Sequence, residues 1–294
     1  MAGLITRFAP SPTGELHLGH AFSALTAWDS AQSAGGQFLL RIEDIDSARC
    51  KSDFERGIFD DLQWLGLSWP EPVMRQSVRC AAYDRALEHL SALGMTYRCT
   101  CTRGDIRAAL SAPQEGHGPD GPVYPGTCRD RGFHGPEGVV RLDLQRALDL
   151  IGPVAFTEIG PLFAGRHSLH RDDLMAEVGD IVLARRDIGT SYHLAVTVDD
   201  AAQGVTHVVR GADLFGATAI HVVLQQLLAL PTPVYHHHRL IRDAAGKRLA
   251  KRDAARALSV FRAQGVQPAE IRAILGLQPS GAINSTSIPS RNAV

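Results

Sequence analysis

Two histidines three residues apart, His17 and His20, enclose Gly19 where a Pro- and Gly-rich segment meets an apolar pattern of helical spacing. A helix N-terminus presents unpaired N–H groups and partial positive charge, which favour a phosphate. Glycine would let a ligand approach the backbone, and both imidazoles could donate to phosphate oxygens. The alternative is that the two rings only cap the helix, which is the better interpretation of an isolated His-x-x-His.

Three of the five cysteines, Cys99, Cys101 and Cys128, fall within 30 residues of one another. An odd number of cysteines makes a disulfide framework a poor interpretation. Three thiolates suit Zn²⁺, which takes four ligands in structural sites. Composition alone offers His117 or His134 as the fourth ligand, and three ordinary free thiols are the alternative.

Strands and helices alternate in the first hundred residues, as the hydrophobic spacing indicates. Strands are predicted at residues 4–8 and 38–42, and helices from 18 to the Gly35-Gly36 pair, around 54–65 and at 78–93. This alternation predicts an α/β fold with a parallel sheet. Farther on, strands are predicted at 139–143, 180–183, 192–198 and 205–209, and helices at 219–230, 254–264 and 268–276.

Regular periodicity is lost between about residues 99 and 138, which predicts an insertion that splits one α/β domain. We expect a catalytic first half at 1–98, an α+β zinc-containing insertion at 99–187 and a catalytic second half at 188–252. Residues 253–294 would form a short helical extension with a disordered tail from 279.

Three sequence blocks resemble the class I glutamyl-tRNA synthetases. Residues 7–20 (RFAPSPTGELHLGH) resemble the family's first block, whose last four residues correspond to its HIGH motif. Residues 41–46 (RIEDID) resemble the RIEDTD block, with Ile45 in place of Thr. Residues 247–252 (KRLAKR) would otherwise be a solvated basic run, but they resemble the KMSKS loop, with Arg248 and Ala250 replacing Lys and Ser.

The resemblance implies a Rossmann-type catalytic domain that activates an amino acid with ATP and Mg²⁺. Such phosphoryl transfer depends on positioning and charge stabilisation rather than on a protein nucleophile. His17, His20 and Lys251 are the implied catalytic residues. The implied ATP-binding residues are His17, Gly19, His20, Arg248 and Lys251.

Glutamate carries two carboxylates and one ammonium, so its pocket needs two cationic contacts and one anionic contact. Arg7 and Arg210 can supply the former and Glu43 the latter, and the planar guanidinium suits a carboxylate. The resemblance assigns glutamate binding to Arg7, Ser11, Glu43, Tyr192 and Arg210. Val196 stands where the family often has Asn.

The resemblance also implies a fourth zinc ligand. Residues 124–128 (YPGTC) look like the Tyr-x-x-x-Cys segment of a zinc site in bacterial relatives, which adds Tyr124 to the three cysteines. We therefore expect one structural zinc per chain, in an insertion that shapes the binding site for the end of an RNA.

Composition sets the remaining expectations. Lys and Arg total 30 against 31 Asp and Glu, and the formal net charge of −1 is unlike that of a general nucleic-acid coat. We expect no signal peptide, no membrane span and a cytoplasmic monomer. Only 42 residues follow Arg252, too few for an anticodon-binding domain.

A catalytic core without an anticodon reader resembles the glutamyl-queuosine branch of this family. That branch activates L-glutamate without tRNA and transfers it to queuosine in the anticodon of tRNA(Asp), which makes glutamate, ATP and the anticodon stem-loop the expected partners. The alternatives are a minimal synthetase that charges a tRNA 3′ end, an adenylate-forming enzyme with another acceptor, and a non-catalytic zinc-containing RNA-binding module.

Overall fold

The computed structural model describes residues 3–102, 104–106, 117–118, 121–133, 135, 137–186, 189–241 and 257–278. The loop predicted at 247–252, with Arg248 and Lys251, lies outside the described residues, as do His134 and the tail from residue 279.

Twelve strands and nine α-helices span the described residues. The strands are β1 (Ile5–Phe8), β2 (Gln37–Ile42), β3 (Met74–Arg75), β4 (Thr96–Cys99), β5 (His117–Gly118), β6 (Gly121–Pro122), β7 (Val139–Leu142), β8 (Val154–Glu158), β9 (Gly165–Leu169), β10 (Val182–Ala184), β11 (His207–Gly211) and β12 (Val234–His238). The helices are α1 (Leu18–Ser33), α2 (Ser52–Trp64), α3 (Cys80–Ala92), α4 (Leu144–Leu150), α5 (Arg171–Glu177), α6 (Tyr192–Ala202), α7 (Ala217–Leu227), α8 (Leu258–Ala263) and α9 (Pro268–Leu275).

The strands that carry the predicted motifs are parallel. β1, β2 and β3 pair in that order, with α1 and α2 as the crossovers, so the predicted strand–helix alternation is confirmed. β11 and β12 are also parallel. β11 lies beside β1, because the Thr206 N–H donates to the Ile5 carbonyl at 3.0 Å. The ends of β1, β2 and β11 therefore bring Arg7, Glu43 and Arg210 into one region.

The predicted insertion at 99–187 contributes strands to three sheets, one of which is the antiparallel pair β5-β6. β4, β7 and β10 form an antiparallel sheet in the order β10-β7-β4. β8 instead pairs in parallel with β12, and β9 closes that edge antiparallel to β8. Hydrophobic spacing predicts β7 and β10 but not β4, β8 or β9, and it does not say which sheet a short strand joins, since that depends on long-range pairing.

The prediction of β structure at 192–198 is wrong, because these residues begin helix α6. The Ser191 hydroxyl caps the helix by accepting from the Leu194 N–H at 3.3 Å. Most of α6 is buried, including the β-branched Val196 and Thr197. Burial on nearly every face removes the amphipathic signal that would have marked a helix.

Two apolar clusters support the parallel strands. One cluster packs α1 and α2 against β1 and β2, and the C-terminal helices α8 and α9 add Leu258, Phe261 and Ile271 to it. The other packs α7 against β8 and β11, and it includes residues of β7, β10 and α6. The buried Arg272 of α9 also pairs with Asp29 of α1 at 2.8 Å, which fixes the C-terminal helices beside the first predicted motif.

Candidate active site

The His17-Leu18-Gly19-His20 segment forms the N-terminus of α1. Nδ1 of His17 accepts from the Gly19 N–H at 3.1 Å, and Nδ1 of His20 accepts from the His17 N–H at 3.2 Å. The two rings stack with centroids 3.8 Å apart. Because both Nδ1 atoms accept, each neutral ring carries its proton on Nε2, which can donate to an anion.

Tight packing against the His17 ring favours glycine at position 19. A Cβ on Gly19 would lie 3.0 Å from Cε1 of the His17 ring. The capping alternative and the phosphate-binding hypothesis are therefore compatible, since the caps orient the two rings at a helix N-terminus.

One cavity of about 550 Å³ brings the two predicted motifs together. Its lining includes all five predicted glutamate-binding residues and the three described residues of the predicted ATP site. These residues are Arg7, Ser11, His17, Gly19, His20, Glu43, Tyr192 and Arg210. The backbone N–H of Glu43 donates to the Pro10 carbonyl at 3.0 Å, which joins the loop after β1 to the segment after β2.

A buried ion-pair cluster holds two of the predicted residues. Asp200 of α6 accepts from Nε of Arg7 at 3.0 Å and from Nη1 of Arg41 at 2.7 Å. Arg41 also donates through Nη2 to Glu43 at 3.1 Å. Two guanidinium groups and two carboxylates thus balance within one buried cluster, which limits the cost of desolvation.

The electrostatics of this cluster separate its two carboxylates. Burial opposes the ionisation of Asp200, but Arg7 and Arg41 outweigh burial and lower the pKa of its carboxyl. Burial raises the pKa of the Glu43 carboxyl, and Arg41 and Arg7 offset this only in part. Burial also raises the pKa of the Tyr192 phenol, which therefore stays neutral.

The sequence analysis did not identify the residues that position Arg7 and Arg210. Asp200, His221 and His237 contact Arg7 or Arg210 and were not selected. Asp200 carried one signal, since it is a carboxylate within an apolar segment, where an unpaired charge would be costly. The two histidines carried none, because their contacts depend on how α7 and β12 pack.

A second cavity of about 1050 Å³ shares Ser11, Glu43 and Tyr192 with the first. It extends to Cys101 and Tyr124, in the predicted insertion. Its lining includes the cationic side chains of Arg49, Arg141 and Arg185. The lining also includes four acidic residues, Glu43, Asp46, Asp180 and Asp213, so it carries charges of both signs. The two cavities therefore place a small-molecule pocket next to a larger space of mixed charge.

The predicted zinc ligands lie together beside this second cavity. The Sγ atoms of Cys99, Cys101 and Cys128 are all within 4.8 Å of one another, and Cys101 and Cys128 are 3.4 Å apart. The Tyr124 hydroxyl is 3.3 Å from Cys99 Sγ and 3.6 Å from Cys101 Sγ. Ligands of a tetrahedral zinc are about 3.8 Å apart at Zn–S distances of ~2.3 Å, so these four side chains fit the ion.

Comparison with known proteins first identifies the class to which this protein belongs. The model of the class I tRNA synthetase (E and Q) catalytic domain matches residues 3–284. A glutamate-tRNA synthetase from Elizabethkingia anophelis has a similar structure, with a TM-score of 0.69 and 29% identity over 85% of this chain. The chain covers 53% of that structure, about half its length. The chain therefore belongs to the class I tRNA synthetase (E and Q) family, whose members are ligases.

Curated relatives narrow the similarity to one branch. The glutamyl-Q tRNA(Asp) synthetase of Rhodobacter capsulatus is 60% identical over 278 residues, which are 93% of this chain and 100% of that relative. The protein of the same name from Albidiferax ferrireducens is 42% identical over 271 residues, covering 88% of this chain and 87% of the relative. None of the helices described above could span a membrane.

Proposed function

We propose that this chain activates L-glutamate with ATP, without tRNA, and transfers the glutamyl group to queuosine in the anticodon of tRNA(Asp). The observation that carries the proposal is the single cavity that combines the α1 N-terminus with Arg7, Glu43, Tyr192 and Arg210. Relatives that carry the glutamyl-Q tRNA(Asp) synthetase name support the choice of acceptor.

In the proposed glutamate complex, opposite charges are paired. The substrate ammonium binds the carboxylate of Glu43, and the two substrate carboxylates face Arg7 and Arg210. Ser11 and the neutral Tyr192 hydroxyl complete the polar lining. Arg7 already shares its charge with Asp200, whereas Arg210 is held by His221, His237 and Thr218, so Arg210 offers the stronger site for a carboxylate.

ATP binds as its Mg²⁺ complex beside His17 and His20 in this proposal. An oxygen of the substrate carboxylate attacks the α-phosphorus of ATP. A bond between that carboxylate and the phosphorus forms, the bond to the β-phosphate breaks, and pyrophosphate leaves. The two Nε2–H groups and the α1 N-terminus stabilise the phosphate charge. Arg248 and Lys251 stabilise the negative charge on the leaving pyrophosphate.

The second step uses the larger cavity. A hydroxyl of the queuosine cyclopentenediol attacks the activated glutamyl carbonyl and an ester forms. AMP leaves with the electron pair of the broken bond, and its phosphate takes up the hydroxyl proton. The cavity of about 1050 Å³ adjoins Glu43 and Tyr192, so an acceptor base within it can meet the activated glutamate. Arg185 and the exposed Arg49, which pairs with Asp46, line this space and can contact RNA phosphates.

One zinc, held by Cys99, Cys101, Tyr124 and Cys128, would have a structural role. It would cross-link the end of β4 to residues 124–128, a segment with little apolar core of its own. The proposal includes a monomeric protein located in the cytoplasm, where ATP, glutamate and tRNA occur together.

Two assays test this proposal against its alternatives. Glutamate-dependent exchange of pyrophosphate into ATP without tRNA is expected, and its absence would leave only a binding module. Labelled glutamate should then be transferred to tRNA(Asp) that contains queuosine and not to tRNA(Asp) that lacks it. Labelling that ignores queuosine, or that occurs on tRNA(Glu), would instead support a minimal synthetase.

A further inference from the structure

Arg210 differs from the other buried arginines of the site in the kind of partner it has. Arg7 and Arg41 both pair with Asp200. Arg210 is also buried, with 5% of its surface exposed, but its hydrogen-bond partners among the described residues are His237, His221 and Thr218, none of them a carboxylate. Its positive charge is therefore not neutralised by direct contact with an acid.

The chemistry of arginine fixes the direction of these hydrogen bonds. A guanidinium only donates, so Nε2 of His237, at 3.0 Å from Nε, and Nδ1 of His221, at 3.0 Å from Nη1, must both be unprotonated acceptors. The Thr218 hydroxyl accepts from Nη2 at 2.8 Å. A protonated ring at either position would present N–H to N–H and add a second positive charge.

The tautomers of His221 and His237 also fix the hydrogen bonds that these two rings make to their other neighbours. With Nδ1 as acceptor, neutral His221 carries its proton on Nε2 and donates to Nδ1 of His193 at 3.1 Å. With Nε2 as acceptor, neutral His237 carries its proton on Nδ1 and donates to Glu158 at 2.5 Å. Glu158 also accepts from the backbone N–H groups of His237 and Gly160, at 2.9 and 2.6 Å, so its ionised carboxylate fixes the His237 tautomer.

Electrostatics favour the neutral rings that this arrangement requires. Burial, with the charge of Arg210 in second place, lowers the pKa of His221 well below its ordinary value. For His237, burial and Arg210 lower the pKa and outweigh the opposing effect of Glu158. Three of the five N–H bonds of Arg210 are used within the described residues, which leaves one N–H on each terminal nitrogen.

We propose that His221 and His237 are positioning residues that hold Arg210 as an uncompensated, two-pronged receptor for a substrate carboxylate. This inference rests on the proposed function for the identity of the substrate. Neutral acceptors fix the orientation of the guanidinium without consuming its charge. Arg210 lines the first cavity, so a carboxylate that enters the cavity completes both the hydrogen bonds and the charge balance.

Substitutions that keep or remove the acceptor atoms test the role of the rings. His221→Phe removes the acceptor, whereas His221→Asn places an amide oxygen near the position of Nδ1. His237→Leu and His237→Gln form the matching pair for Nε2, and His236→Gln on the same strand is the control. The assay is pyrophosphate exchange, with KM measured separately for glutamate and for ATP.

Loss of either acceptor should raise KM for glutamate about tenfold or more, the scale of one hydrogen bond to a charged group. KM for ATP and kcat should stay within about twofold, as expected for lost ground-state binding. The conservative variants His221→Asn and His237→Gln should retain most of the affinity. An unchanged KM for glutamate in folded His221→Phe, or equal effects of His221→Phe and His221→Asn, would overturn the proposal.

A measurement on the unmodified chain covers variants that fail to fold. Long-range ¹H–¹⁵N spectra at pH 7 should show neutral His221 with its proton on Nε2 and neutral His237 with its proton on Nδ1. The opposite tautomer or a charged ring at either position contradicts the network. Absence of exchange by the unmodified chain would refute the proposed activity instead, and the tautomers would still decide whether Arg210 is held as described.

Discussion

At the scale of single residues, some charged groups of the site pair with one another, whereas others face the cavities and can bind a substrate. Asp200 pairs with both Arg7 and Arg41, while Glu43 lies at the edge of the same cluster and lines both cavities. Its raised pKa follows from burial. A carboxylate that is costly to ionise is stabilised by an incoming ammonium, which makes the charge of Glu43 sensitive to both substrate and pH.

Replacing Glu43 by Gln removes the proposed ammonium contact with little change of shape. KM for glutamate should rise about tenfold to hundredfold, which matches the loss of one charged hydrogen bond. Because the pKa of Glu43 is raised, its charge is lost on acidification at a higher pH than for an ordinary glutamate. In the unmodified chain KM for glutamate should therefore rise as pH falls toward that pKa.

The pH profile of pyrophosphate exchange provides the check. Glu43→Gln should lack the acid limb in KM for glutamate while retaining the same dependence of KM for ATP. Glu55→Gln, on the outer part of α2 beside Arg75, is the control. An acid limb that survives in Glu43→Gln would assign that titration to another group.

His20 is the residue that best separates capping from chemistry at the start of α1. His20→Ala removes both the Nδ1 acceptor and the Nε2 donor, whereas His20→Asn keeps an acceptor near the His17 N–H. Both should reduce pyrophosphate exchange about a hundredfold or more, the usual effect of losing one donor to a transition state. Lys251→Ala should have a similar effect, and exposed His89→Ala should have none.

Melting temperatures distinguish the two roles of His20. His20→Asn should melt close to the unmodified chain, since the cap of α1 is retained. Recovery of exchange in His20→Asn would show that the ring acts only as a helix cap and would remove His20 from the catalytic residues.

At the scale of elements, the site depends on contacts between distant parts of the chain. The 7–20 and 41–46 blocks and their strands and helices are local patterns, and the sequence predicts them. The contact between Arg7 and Asp200 spans 193 residues, and no local spacing encodes it.

Helix α6 was predicted as a strand because its buried faces hide the helical period. The partners of Arg210 were missed because their contacts are equally non-local, since they lie on α7 and β12.

Asp200→Asn tests how strongly the buried ion pairs hold α6 against β1 and β2. It leaves two buried guanidinium groups without their shared carboxylate, so the free energy of unfolding should fall by about 3–5 kcal/mol. The lowered pKa of Asp200 means that its stabilisation exists above the unfolded-state pKa and is lost as pH falls through the folded-state pKa. The difference between the two proteins should therefore shrink in acid.

Urea unfolding at several pH values measures this difference. Asp53→Asn is the control, because its side chain is 84% exposed and lies 3.7 Å from Arg56, and it should change stability by less than about 1 kcal/mol. A difference between Asp200→Asn and the unmodified chain that stays constant from neutral to acid pH would mean that the Asp200 charge does not join these elements.

At the scale of the whole molecule, the two cavities divide the proposed reaction into its two steps. The first cavity contains the groups proposed to bind glutamate and ATP and is lined by the parallel strands and α1. The second extends to the cysteine cluster and the antiparallel sheet. Only the second cavity has Cys101 and Tyr124 in its lining, so damage to the cluster should affect transfer to RNA more than activation.

Removal of the metal tests this division. The purified chain should contain about one zinc, and Cys128→Ser should lose it, whereas Cys50→Ser, outside the cluster, should retain it. Pyrophosphate exchange by Cys128→Ser should stay within about threefold, because none of the four ligands lines the first cavity. Transfer of glutamate to tRNA(Asp) should fall at least tenfold, since the wall of the second cavity loses its cross-link.

Metal analysis, exchange and transfer are measured on the same preparations. Equal losses of exchange and transfer would show that the cluster supports the whole fold rather than the second cavity, and a metal-free unmodified chain would refute the zinc assignment itself.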